Sequence, residues 1–395
     1  MKVRMKSSIF ILILFLLLAG CSNYKELNQL AIVLALGIDY NEDTKQYDIT
    51  FQVVNPRGVP SSSAAGGGET LAVVNLSGSG YTLTEAARNT SLKFARKSIY
   101  YHTSLIVMGE AAAKKGLSTI LDSIERDPKI RANIPILLAR DIKASKLLEI
   151  IPPFDKIPTK SLLGKLDNTV TKYGGSNGAM VYQVISALKS QGREPVISAV
   201  SILGNPKKGA SKANLESLDA VYTYLNGMGI FHDGKLVGWM DGEQIKTIQI
   251  LANKMETTII TVPCGKGEHL TMQVYHTKSK EEVKINQGVP DIGINVFMSG
   301  YMSEKLCVKD LTKESVLGGV QKRAEKVVKA YIESSIKEAQ KYKSDIFGFG
   351  ENISRSDPKV WKQVQGDWDE LFAKANVNVT VKVKIEEIGM RSKHY

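Results

Sequence analysis

The first twenty-one residues constrain the rest of the chain, because they settle the compartment in which it folds. Lys2, Arg4 and Lys6 make a cationic start, and Ile9 to Ala19 is an unbroken apolar run of eleven residues. A signal-peptide core needs ~7–15 apolar residues and a membrane-crossing helix ~20. The run therefore predicts a secretion leader and not an anchor helix.

That run closes on Leu18-Ala19-Gly20-Cys21, which resembles a bacterial lipobox. The resemblance implies that residues 1–20 are removed and that Cys21 becomes the first mature residue, carrying a covalent diacylglycerol and an N-acyl lipid. One acyl chain gives marginal membrane binding at ~0.8 kcal/mol per buried methylene, whereas two give stable attachment. No other cofactor is expected.

The 375 residues left after the leader are enough for two to four domains at ~100–200 residues each, with three the central expectation. A hydrophobic content of 43% points to globular folding, and the net charge of +12 to anionic partners. The basic residues are scattered among Asp and Glu along helices, with no aromatic-interleaved patch, so the charge suits lipid headgroups and wall polymers and not nucleic acid. Only Cys264 and Cys307 remain besides Cys21, too few for a metal cluster. Buried free thiols are favoured over a disulfide between them.

Strands are predicted at Gln29 to Asp39, Tyr47 to Asn55, Thr70 to Leu76, His102 to Met108 and Ile134 to Ala139. Helices fall between them, including Glu110 to Arg126 with a break near Gly116. Two more helices, near 160–172 and 179–191, precede a strand from Pro195 to Leu203. This alternation predicts an α+β fold of three mixed α/β domains, each a sheet packed with helices. The boundaries are a lipid-anchored N-terminal domain at 21–204, a small middle domain at 205–265 that leans on a neighbour, and a C-terminal α+β domain at 266–395. In the last of these, a helix from Leu311 to Tyr342 carries an apolar stripe suited to packing on a sheet. A second helix, Pro358 to Lys374, presents Trp361, Val364, Trp368 and Phe372, which are expected in the core.

Candidate chemistry is sparse. Gly174-Gly175-Ser176-Asn177-Gly178 matches a nucleophile elbow, but helices flank it where the elbow needs a preceding strand. Ser334-Ser335-Ile336-Lys337 fits Ser-x-x-Lys without its companion Lys-Thr-Gly, and reads as a solvated helix face. His102, His232, His269, His276 and His394 show no helix-spaced zinc pair. Gly348-Phe349-Gly350 lacks the third glycine of a nucleotide loop and reads as a tight turn between helices. No catalytic, cofactor-binding or metal-ligating residue is assigned.

The ordered pieces Glu26-Leu27-Asn28, Gly37-Ile38-Asp39, Gln52 to Pro56, His102 to Glu110, Arg126-Asp127-Pro128 with Arg131, Phe231 to Gly238, Phe347 to Gly350, and Trp361 with Trp368 resemble the Ger(x)C lipoproteins. These are the C subunits of nutrient germinant receptors in endospore-forming bacteria. The Ser/Gly stretch at 61–68 has no counterpart in that pattern. The resemblance implies three mixed domains, lipid attachment through Cys21 at the outer face of the spore inner membrane, and assembly with integral-membrane A and B subunits. It implies a role in germination in response to small nutrients, and no catalysis. The rival readings are an extracytoplasmic solute-binding lipoprotein of a transporter, which should show two doubly wound domains around a cleft, and a lipoprotein hydrolase.

Overall fold

The computed structural model describes residues 26, 29–58, 70–265, 267–305 and 313–387. Cys21, Cys307, His394 and the Ser/Gly stretch lie outside them.

Two sheets organise the described residues, and the α+β class is seen directly. The continuous apolar run of β1 (Leu30–Asn41) and the apolar alternation of β2 (Gln46–Val54) build an antiparallel pair, which β3 (Val73–Gly80) extends. Helix α1 (Leu83–Ser91) follows, capped by Thr82, whose side chain accepts the N–H of Glu85. The short β4 (Lys97–Ile99) pairs parallel with the start of β1, and β5 (Leu105–Gly109) with its later part. The break expected near Gly116 is there: φ of +132° at that glycine ends α2 (Glu110–Lys115) before α3 (Leu117–Arg126). β6 (Ile136–Ala139), α4 (Ala144–Leu147), α5 (Pro158–Lys172), α6 (Val181–Lys189) and β7 (Val196–Leu203) complete the parallel centre.

The segment read as a middle domain has no sheet of its own. Its hairpin, β8 (Tyr222–His232) and β9 (Lys235–Met240), continues the first sheet antiparallel beyond β7. The nine strands run β3-β2-β1-β5-β6-β7-β8-β9, with β4 beside β1. The described residues thus contain two sheets where three were expected. After α7 (Pro206–Gly209) and the hairpin, α8 (Lys246–Leu251) leads to the second sheet.

That sheet has the order β10-β11-β12-β13, from β10 (Thr258–Pro263), β11 (His269–Asn286), β12 (Val289–Lys305) and β13 (Asn376–Glu387). The apolar pattern of the sequence predicts two strands here, His269 to His276 and Glu281 to Ile285; they are one, because residues from Leu270 to Asn286 register against β12 through the charged Lys278–Glu282 stretch. The parallel step from β12 to β13 needs a long crossover, which α9 (Glu314–Lys341), α10 (Phe349–Ser356), α11 (Pro358–Val364) and α12 (Trp368–Ala373) supply. The helix predicted over 358–374 is interrupted at Gln365–Asp367, around Gly366. Val320, Ala324, Val328, Ile332 and Ile336 of α9 are buried on the sheet, as their spacing required.

Cys264 is 4% exposed and disulfide-bonded. The expectation of a free thiol is corrected at this residue: it follows the edge strand β10 directly, where pairing with β11 fixes the backbone, and sequence spacing carries no sign of that geometry.

Candidate functional site

The two sheets share one core. Met228, Ile230 and Met240 of the β8–β9 hairpin pack in the same buried cluster as Ile332, Phe349, Trp368 and Phe372 of the C-terminal helices. Above this apolar contact the junction is held by polar groups from five segments.

Asp345, in the turn after α9, is 1% exposed. Its carboxylate accepts the N–H groups of Gly348 (2.8 Å), Phe349 (3.1 Å) and Gly350 (2.8 Å), and Nε1–H of Trp368 (3.0 Å). Desolvation pushes its pKa up to about 6, against those four donors, which pull it down. Gly348 sits at φ +81°, which lets the chain turn back so that three consecutive N–H groups converge on one carboxylate. A Cβ at Gly350 would lie 2.6 Å from Nε1 of Trp368, so the ring and the backbone touch only because that residue is glycine. Trp361 and Trp368 are 4% and 3% exposed and meet edge to face at 5.6 Å.

The first sheet answers through residues 191–194. Glu194 N–H donates to Asp345 O at 2.9 Å, Glu351 N–H to Gly192 O at 3.1 Å, and Arg193 pairs with Glu351 at 3.3 Å. The Ser344 hydroxyl donates to the Phe231 carbonyl of β8. Beside these contacts opens a cleft of about 540 Å³, lined by Gln191, Glu194, Asp233, Trp368 and Asp369 among others. Burial pushes Glu194 up to about 7, although it accepts the Asp233 N–H at 3.0 Å. Ligand atoms of His232, Asp233 and Asp369 lie within 4.8 Å of one another, a donor set that suits a divalent cation. Asp233 is solvent-exposed, and such trios also stand without an ion.

The residues singled out in the sequence fall as follows. Ser176 is fully buried between α5 and α6, its Oγ 2.6 Å from Ser198 Oγ. Ser334 is exposed and accepts from Gln244, while Ser335 donates to Gln244 O at 2.9 Å. His102, His269 and His276 are exposed, the last two seven residues apart on β11. The pieces Phe231 to Gly238, Phe347 to Gly350, Trp361 and Trp368 meet at the junction, the first of them more than 100 residues before the others in sequence. Gly37-Ile38-Asp39, Gln52 and Gly109 meet elsewhere, on the first sheet. There Asp39 accepts Ala144 N–H (2.8 Å) and Ser145 N–H (3.0 Å), and Gln52 Nε2 donates to Leu148 O (2.8 Å). Sequence reasoning missed Asp345, Glu194 and Asp369; nothing in the spacing of isolated acids could have found them.

Comparison with known proteins agrees along the whole chain. Residues 23–202 match the family described as "Spore germination protein N-terminal domain", and residues 226–389 the one described as "Spore germination B3/ GerAC like, C-terminal". Spore germination protein KC of Bacillus subtilis (strain 168) is 30% identical over 391 residues, covering 98% of this chain and 96% of that protein. The chain belongs to the Ger(x)C spore-germination family. Spore germination protein B3 of the same organism is 25% identical over 403 residues, covering 98% and 99%. The crystal structure of the GerBC protein shares the fold, with a TM-score of 0.53 at 18% identity over 89% of this chain and 96% of that one. For a Ger(x)C protein, both matched regions meet at the Asp345 junction, so the contacts that join them lie inside the relationship.

Proposed function

We propose that this chain is the non-catalytic C subunit of a spore germinant receptor, needed for germination in response to small nutrients and assembled with integral-membrane A and B subunits. The observation that carries this reading is the end-to-end match to spore germination protein KC, which leaves neither sheet outside it. Its attachment is the acylated Cys21, at the outer face of the spore inner membrane. In keeping with attachment through a lipid, no helix of the described residues is long and apolar enough to cross a membrane. The Asp345 junction acts in this reading as a rigid hub that presents both sheets as one body to those partners.

The test is mild crosslinking in intact spores followed by purification of this chain. Recovery of two polytopic membrane proteins is expected. Recovery of an ABC permease in their place would assign the chain to a transporter and sink the receptor reading.

A further inference from the structure

Far from the junction, a second cavity opens on the first sheet. Helices α1 and α3 stand over β1 and β2 and leave between them about 450 Å³, within the range of small-ligand sites. Its floor is Leu36, Ile38, Ile49 and Phe51, the inward-facing residues of two paired strands, each 6% exposed or less. Its mouth is different. Arg88 from the last turn of α1, Arg96 and Lys97 at the start of β4, and Lys129 after α3 all line it. None of these four forms an ion pair among the described residues. Asp127 is the one acidic group in the lining, and its carboxylate already accepts the Lys129 N–H at 2.9 Å. The Ser98 hydroxyl, also in the lining, is buried without a hydrogen-bond partner among the described residues. Leu92 stands at the rim, 77% exposed.

A site that is apolar at the bottom and holds four cations against one carboxylate at the mouth selects an anion carrying a long apolar tail. Its place in the fold decides between free amphiphiles and a bilayer. Lys97 pairs with Leu30, the first residue of β1, so the cationic mouth lies where the polypeptide enters the fold. Leu30 is nine residues beyond Cys21, a reach of at most about 30 Å of extended chain. The mouth is therefore held close to whatever surface the N-terminus is attached to.

We propose that this cavity is an anionic phospholipid site: one acyl chain enters between α1 and α3 onto the Ile38–Phe51 floor, and the headgroup phosphate sits among Arg88, Arg96, Lys97 and Lys129. Basic residues beside an anionic leaflet each strengthen binding about fivefold, so the four act as a docking collar that orients the first sheet on the membrane. The proposal rests on the membrane placement argued above, but its test does not depend on receptor assembly.

The test uses the mature chain from residue 21 with Cys21→Ser, so that no covalent acyl group contributes, in flotation with phosphatidylglycerol or phosphatidylcholine vesicles. Binding to the anionic vesicles and none to the neutral ones is expected. Arg96→Gln with Lys97→Gln should lower the partition on the order of twentyfold. Ala87→Phe, which fills the cavity at unchanged charge, should lower it at least fivefold; Thr84→Phe, at an exposed lining position, makes the same test should Ala87→Phe disturb folding. Equal binding to both vesicles, or none to either, overturns the proposal. So does undiminished binding by both filled variants, which would leave surface charge alone as the cause. Tight capture of a soluble anionic amphiphile without vesicle binding would equally overturn it.

Discussion

Asp39 and Asp345 are both buried carboxylates, both raised in pKa by desolvation, and both accept backbone N–H groups at the start of a helix. They fasten different things. Asp39 takes two N–H groups of α4 from 105 residues away, and so ties a helix to the strand it covers within one sheet. Asp345 takes three N–H groups from the next five residues and an indole N–H from Trp368, so it first shapes a turn and then locks that turn into the joint between the sheets. A carboxylate with long-range donors records the fold of one layer. One with local donors fixes the shape of a loop that an interface then uses.

The sharpest way to break this contrast is Asp345→Ala. Four buried N–H groups lose their acceptor together, and the loss should be on the order of 4 kcal/mol. Limited proteolysis should then cut between β9 and α9 while the first sheet remains whole; uniform digestion of the chain would show that the joint and the first sheet do not separate. Asp39→Ala orphans two N–H groups and should cost about 2 kcal/mol. Urea unfolding should show that cost in the first sheet, and an effect equal to that of Asp345→Ala would erase the distinction.

The smallest effect concerns charge at the joint, where Glu194 lies near His232, Asp233 and Asp369. Its pKa stands at about 7 in the fold against an ordinary 4.5. The folded state therefore binds its proton more tightly than the unfolded chain does. That stabilisation is complete below about pH 4.5 and is lost as pH rises through 7, and Asp345, raised to about 6, acts in the same sense. Glu194→Gln keeps the acceptor for the Asp233 N–H and removes the ionisation. It should stabilise the protein by roughly 2 kcal/mol at pH 8 and change little at pH 4.5. A gain of equal size at both pH values would mean that titration is not the cause.

How much of this was legible follows from the range of each interaction. The Ile-, Val- and Leu-rich runs of β1 and β2, and the stripe on α9, are local, and the elements stand where those patterns put them. Gly116 announced its break because a positive φ is nearly private to glycine. The pairing of β8 with β7 was not legible, since the Asn205–Ala213 stretch between them looks like a boundary and register across it is set by packing. Thr277–Lys280 separated two predicted strands because charges are rare in strands that face a core, but this part of the β11–β12 hairpin has exposed positions at every other residue or more. The junction acids were hidden for the same reason: His232 and Asp369 meet only because two sheets do.

The position of β13 has a consequence in time. The first sheet is complete at Met240, but the second cannot close until the strand beginning at Asn376 has been made, because β13 supplies its parallel edge. At ~5–20 residues per second of synthesis, the interval is on the order of ten seconds. Met228, Ile230 and Met240, each fully buried in the finished protein, share their core with Ile332, Phe349, Trp368 and Phe372, so their cover is completed only as the C-terminal helices are made. A chain that ended at Met240 would carry these three apolar side chains without the C-terminal helices that cover them.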